Sequence, residues 1–215
     1  MNSSVAKPEN DRPVRPRDAA SLVILRQRRR GPAEVLLGRR ASRHRFMPNV
    51  FVFPGGRLDR RDLQTPVSQD LRPSVAGRMQ QKWSAQKARG LAVAAVRETH
   101  EETGLRIGSM QGDALHPDLS GLDYIARAIT PPSNPIRFHA RFFVVDAEQT
   151  EGRITDSHEL SELQWQPLNQ ALRMPIVDVT EFVLQEIERR LSGWQPPGVP
   201  LFSYRRDRAC VRYER

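Results

Sequence analysis

Ala94-Ala95-Val96-Arg97-Glu98-Thr99-His100-Glu101-Glu102-Thr103-Gly104-Leu105 is the stretch on which the reading of this chain turns. Leu91, Val93, Ala94, Ala95 and Val96 supply the apolar face of a helix predicted to run through Glu102, and Gly104 stands where a helix-ending glycine belongs. On that helix Glu98 lies three and four residues before Glu101 and Glu102, so the three carboxylates share adjoining ground. Like charges so placed repel, and they fall in the last turns, where the helix dipole already disfavours negative charge. Two penalties at one place ask for a compensating cation. Hard oxygen ligands at this density suit Mg²⁺ or Mn²⁺, which bind carboxylates together with substrate phosphates and water. A bare Glu-x-x-Glu-Glu is ordinarily a solvated acidic face. Here the apolar stretch before it, Arg97 beside it and Gly104 after it give the motif a fixed setting.

Upstream, Ala19 to Leu25 reads as a strand, Arg28-Arg29-Arg30-Gly31-Pro32 as a turn, and Glu34 to Gly38 as the returning strand of a hairpin. Val50 to Phe53 is a short strand that runs into Pro54-Gly55-Gly56, which must stop it. Gln64 to Trp83 is polar and without a clean period, and reads as a surface insertion over about residues 63–84. Residues 1–18, polar and Pro-bearing, read as a flexible tail. Downstream, strands are predicted over Ile125–Ile129, Arg137–Asp146 and Leu163–Trp165, and a short helix over Pro167–Arg173. Val177–Leu191 is amphipathic, and Ser192–Arg215 carries a Pro/Gly loop and a last strand. Strands mixed with two substantial helices, without regular βαβ alternation, indicate an α+β fold in one domain over residues 19–215.

At 215 residues the chain can bury one sizeable core. A hydrophobic content of 38% and a charged content of 27% are those of a globular protein rather than a disordered one. No run approaches the length of a membrane helix, so no membrane partner is expected. The N-terminal segment lacks the apolar core of a signal peptide, and Tyr213-Glu214-Arg215 is not a peroxisomal address; a cytoplasmic location is expected. One cysteine, Cys210, excludes an internal disulfide framework, and nothing beside it activates a thiolate. The formal charge of +9 comes from arginines that are largely dispersed. No basic run is interleaved with aromatics, so a nucleic-acid partner is not expected, while a general pull on anionic small molecules is.

Arg97-Glu98-Thr99-His100-Glu101-Glu102-Thr103-Gly104-Leu105 resembles the second half of the Nudix box, R-E-U-x-E-E-x-G-U, with Thr99 in place of the bulky aliphatic residue. Gly56, followed after five residues by Asp62, has the spacing of the first half, with Asp for Glu. Seven residues separate the halves in the family; here Leu63 to Val96 intervene, so the box is split. A branch similar to the peroxisomal coenzyme A diphosphatases shows the same break. It resembles this chain at Phe46 to Asp59, which includes Phe53-Pro54-Gly55-Gly56, at Ala126 to Pro131, and at Arg137 to Phe143.

The resemblance implies an α/β/α sandwich, with a mixed sheet between helices and the box helix on one side. It implies hydrolysis of the diphosphate bond of a nucleoside diphosphate derivative, with coenzyme A or an acyl-coenzyme A as the branch substrate and Mg²⁺ or Mn²⁺ as cofactor. Glu98, Glu101 and Glu102 become the metal ligands, with a backbone carbonyl offered at Gly55 or Gly56, and Arg97 orients a glutamate through a charge-assisted bond. The general base is either a box glutamate or one in a later loop, Glu159 or Glu162. Arg39, Arg40, Arg43, Arg45 and Arg141 are candidates for substrate phosphates by charge alone. The alternatives are a Nudix-fold binding or regulatory protein without catalysis, and a hydrolase of ADP-ribose, dinucleotides or RNA ends. Family members are often dimers, which leaves a homodimer open, although no heptad or interface stripe marks one.

Overall fold

Ala20, Leu22 and Ile24 alternate with Val23 and Leu25 along β1 (Arg17–Arg26), and all five are buried. A strand apolar on both faces is stable only at the centre of a sheet covered on both sides. The computed structural model describes residues 14–41, 48–206 and 208–214, and β1 lies at the middle of its main sheet. Along the chain follow β2 (Glu34–Arg40), β3 (Phe51–Val52), β4 (Gly55–Arg57), α1 (Pro73–Gln80), α2 (Ala85–Thr103), β5 (Gly108–Gln111), β6 (Ala114–Pro117) and β7 (Asp123–Ile129). Then come β8 (Phe138–Asp146), β9 (Leu160–Pro167), α3 (Leu168–Ala171), α4 (Asp178–Leu191), β10 (Val199–Arg205) and β11 (Arg208–Glu214).

The sheet runs β11-β10-β7-β8-β1-β2-β3, with β4 paired to β1 and β9 to β2. It is mixed: β1 and β8 are parallel, as are β7 and β10, and the other pairs are antiparallel. On one face, Ala20, Leu22, Ile24, Leu36 and Phe143 pack against Leu91 to Val96 of α2. On the other, Val23, Leu25, Leu37 and Phe142 meet Phe182, Val183 and Ile187 of α4. This is the α/β/α sandwich, and each aliphatic side chain buried in it stabilises the fold by ~1.5–3 kcal/mol. Among the described residues no helix is long and apolar enough to cross a membrane.

Helix α2 begins six residues before Leu91, because the Ser84 hydroxyl caps it by accepting the Lys87 N–H at 3.2 Å. It ends as expected at Gly104, whose φ of 73° is the left-handed cap geometry.

Two expectations need correction. Residues 14–16 lead directly into β1, and Arg17 and Asp18 already pair with Phe138 and His139, so the segment taken as a tail ends in the sheet; residues 1–13 lie outside the described ones. The insertion is not merely a surface loop. It forms α1, whose Val75 and Met79 are fully buried against α2, together with Leu71. Its polar majority hid a one-sided apolar set spaced at i and i+4. Beyond the end of β3 at Val52, Gly55 and Gly56 enter β4, opposite Ser21 and Ala20. The β5–β6 hairpin and the long β10–β11 hairpin, paired from Val199↔Glu214 to Arg205↔Arg208, were the least legible elements.

Candidate active site

Gly56 and Glu98 are packed face to face. A Cβ on Gly56 would stand 2.4 Å from the Cδ and Oε1 of Glu98, so only glycine lets this carboxylate lie across β4. The neighbouring Gly55 (φ 154°) has no room for a side chain either, since a Cβ would stand 2.5 Å from the Ala20 carbonyl oxygen. Its N–H points instead at α2 and donates to Glu102 Oε2 at 2.8 Å. The Pro54-Gly55-Gly56 segment is thus a floor on which α2 lays Glu98 and Glu102 side by side.

These carboxylates are in a costly place. Glu102 is 7% exposed. Burial pushes its pKa up to about 8, with the charges of Glu98 and Glu159 adding to the rise and the Gly55 N–H and Arg40 opposing it. Glu98 is also raised, chiefly by burial, against the pull of Arg97. Two adjacent acids, Glu102 buried and Glu98 half-buried, whose pKa values are both raised become stable carboxylates when a cation shares the site. Among the described residues no three acids or histidines converge tightly enough to enclose an ion alone. The pair of hard carboxylates at Glu98 and Glu102 has the donor chemistry of a site for a hard divalent cation, which takes one or two carboxylates and completes its shell with water and substrate phosphate.

Arg97 holds the arrangement in register. Its Nε and Nη2 clamp Asp62 at 2.7 and 3.0 Å, its Nη1 lies 2.9 Å from both Glu98 Oε1 and Glu101 Oε2, and its Nη2 donates to the Arg57 carbonyl at 3.1 Å. Burial alone would lower its pKa, but the hydrogen bonds it donates to Asp62 and the charges of Glu98, Asp62 and Glu101 hold it above its ordinary value. Asp62 is 1% exposed and also accepts the Asp59 N–H at 2.7 Å. The acid that stands six residues after Gly56 is therefore the anchor for Arg97, across the stretch from Leu63 to Val96. Arg97 is thus paired with Glu98, one of the acids beside which the sequence placed it.

The other candidates separate clearly. Glu159 comes to the same cleft wall as Glu98 and Glu102, near enough for its charge to raise both. Glu162 does not; it pairs with Arg39 at 2.9 Å on the exposed outer side of β2 and β9. Strand alternation then turns Arg40 inward to the cleft, where burial lowers its pKa and the charges of Glu102 and Glu159 oppose the drop. Glu101, 47% exposed, faces Arg61 and Arg97 rather than the cleft. Arg45 and Arg43 lie outside the described residues. Arg141 needs the firmest correction. Its side chain is 0% exposed, bound to Asp18 at 2.6 Å and stacked 4.4 Å from the Trp83 ring on the α2 side of the sheet. Its neighbours Ala140 and Phe142 face the cleft; Arg141, one residue out of phase, cannot.

The cleft is about 1230 Å³. From the acids at β1 and β4, an apolar wall of Phe142, Ala128 and Phe202 crosses three strands, about 14 Å at the usual strand spacing. Phe53 meets Phe142 edge-on at 6.5 Å, and beyond them Tyr204 donates its hydroxyl to Asp178. Sequence reasoning missed Arg15, Arg17, Arg57 and Arg60 on the rim. The first two fall in the segment that reads as a tail, although the alternation of Arg15, Arg17 and Ala19 before an apolar strand is a readable signal.

The NUDIX domain family profile matches residues 75–197. The chain is 26% identical over 174 residues to "Putative nudix hydrolase 7" of Caenorhabditis elegans, an alignment covering 69% of this chain and 50% of that protein. The chain thus spans about half the length of the curated relative it matches. Among solved structures it is similar to a NUDIX hydrolase from Alicyclobacillus acidocaldarius, with a TM-score of 0.61, 28% identity, and coverage of 80% of this chain and 90% of that one. It shares its fold with a MutT protein from Bacillus halodurans, at a TM-score of 0.52 and 14% identity over 91% of this chain and 96% of that one.

Proposed function

The chain belongs to the Nudix family, and from that premise we propose that it is a divalent-metal-dependent hydrolase of a nucleoside diphosphate derivative, with coenzyme A or an acyl-coenzyme A as the first substrate to try. The observation that carries the reading is the seating of Glu98 and Glu102 on Gly56 and Gly55, in the same cleft as Glu159. Glu98 and Glu102 would hold the metal. A bound Mg²⁺ or Mn²⁺ supplies Lewis acidity toward the phosphate oxygens and lowers the pKa of water.

The chain's own groups supply the rest. Gly55 fixes Glu102 and Arg97 fixes Glu98, so neither carboxylate must reorganise during reaction. Glu159 accepts the proton of the attacking water as its oxygen bonds to one phosphorus and the bridging P–O bond breaks. Arg40, at the same wall, stabilises the negative charge that grows on the phosphates. The apolar wall of Phe142, Ala128 and Phe202 offers room for an uncharged arm such as pantetheine. The split box and its insertion support the same choice.

The test is product analysis on coenzyme A, acetyl-coenzyme A, ADP-ribose, NADH and nucleoside triphosphates with Mg²⁺ and with Mn²⁺. Release of adenosine 3′,5′-bisphosphate from the coenzyme A compounds is the expected result. Cleavage of another diphosphate instead keeps the chemistry and overturns the substrate; silence across the panel favours a binding protein.

A further inference from the structure

The acids explain the floor of the cleft but not its rim. Arg15, Arg17, Arg57 and Arg60 line the cleft and are exposed, and among the described residues none has a side-chain hydrogen bond or ion pair. Pairing of Ala19 with Arg57, and of Arg17 with Phe138, puts Arg17, Arg57 and the Phe138 ring on one face of the sheet. The backbone beneath them is fixed by the nearly buried Arg137. Its Nη1 donates to the Val14 carbonyl at 2.7 Å, its Nε donates to Thr130 O at 3.1 Å, and its own carbonyl accepts the Arg17 N–H at 2.9 Å.

Neighbouring acids do not neutralise this rim. The Asp18 carboxylate is taken by Lys87 at 2.6 Å and Arg141 at 2.6 Å. Asp59 accepts the Arg61 N–H at 3.0 Å. The Arg17 end of the rim also stands apart from the acids, with Arg57 between the two. Glu98 rests on Gly56, opposite Ala20, and at ~3.3 Å per strand residue Arg17 lies about 10 Å along β1 from there.

We propose that Arg15, Arg17, Arg57 and Arg60 bind a phosphate monoester on the nucleoside part of the substrate, away from the bond that breaks. The enzyme then selects diphosphates that carry this further phosphate. Guanidinium groups suit such a ligand because they offer paired donors to phosphate oxygens. The inference rests on the diphosphatase reading but is measured without turnover.

Calorimetric titration of the full chain with adenosine 3′,5′-bisphosphate, ADP and AMP tests it. The bisphosphate is expected to bind roughly tenfold or more tightly than AMP, as charge-assisted hydrogen bonds permit, and more tightly than ADP. In Arg17→Gln/Arg57→Gln, and separately in Arg15→Gln/Arg60→Gln, the ratio of bisphosphate to AMP affinity should fall toward one. These are exposed positions, and unchanged melting temperatures would show that the fold is intact. Equal binding of bisphosphate and AMP by the unaltered protein, an unchanged ratio in both variants, or an equal gain for ADP would each overturn the proposal. Failure of the substrate panel would instead overturn the hydrolase reading and leave these binding ratios as measured.

Discussion

Gly56→Ala is the sharpest perturbation the site allows. The backbone at Gly56 is not in the left-handed region, so alanine adds only a methyl group without backbone strain. That methyl would stand 2.4 Å from the Cδ and Oε1 of Glu98, where carbon contacts are comfortable at 3.5–4.0 Å. The carboxylate must therefore retreat by roughly 1 Å or more. Because the obstructing atoms are the end of a flexible side chain, the fold can yield at that point, and a loss of stability within ~1 kcal/mol is expected. A misplacement of ~1 Å at a reacting centre costs on the order of 10²-fold in rate, or about 2.7 kcal/mol of barrier. The assay is kcat for the best substrate of the panel across a Mn²⁺ titration, with thermal melting on the same samples. A variant that folds normally and keeps kcat within about threefold would refute the argument that the closeness of Glu98 to Gly56 matters to catalysis.

Glu102 should leave its mark on the stability of the metal-free protein. Its carboxyl titrates near 4.5 when free and is pushed up to about 8 in the fold, so between those values the native state holds the extra proton. Stability then falls as pH rises through that window, by up to ~1.4 kcal/mol per pH unit. Glu102→Gln should flatten this slope in pH-dependent urea unfolding, and an unchanged slope would assign it to other groups. Arg97→Met strands the buried Asp62 carboxylate and should cost ~3–5 kcal/mol in urea unfolding, much of it recovered in Arg97→Met/Asp62→Leu; a single-variant loss under about 1 kcal/mol would count against the clamp. Glu159→Gln should lower kcat by ~10²–10⁴-fold, while Glu162→Gln, which alters a residue bound to Arg39 outside the cleft, leaves kcat nearly unchanged. The reverse ranking would exchange their roles.

The spacing of Glu98, Glu101 and Glu102 on a capped helix was legible because helical period and the capping glycine are local properties. So was Gly55-Gly56, a pair whose glycines have long-range reasons but whose Pro-Gly-Gly signal is local. What escaped the sequence depended on partners distant along the chain. Three acids on one helical face look alike, yet Arg61 draws Glu101 outward while Gly55 draws Glu102 in. Arg39 and Arg40 carry the same charge, and only the phase of β2 in the sheet sends one to Glu162 and the other to the cleft. Arg141 reads as a phosphate ligand by charge, but strand phase and the cover of Trp83 from the insertion bury it. The insertion hid its core role because Val75 and Met79 are one turn apart in an otherwise polar helix.

The central claim is that Glu98 and Glu102 hold a divalent cation that hydrolysis of a diphosphate requires. The most direct measurement is single-turnover hydrolysis of the best panel substrate by the unaltered protein and by Glu102→Gln, with Mn²⁺ and then with excess chelator. Cleavage that needs Mn²⁺, stops with chelator and is lost in a well-folded variant is the expected result. Full cleavage by chelator-treated protein, or by Glu102→Gln, would contradict it.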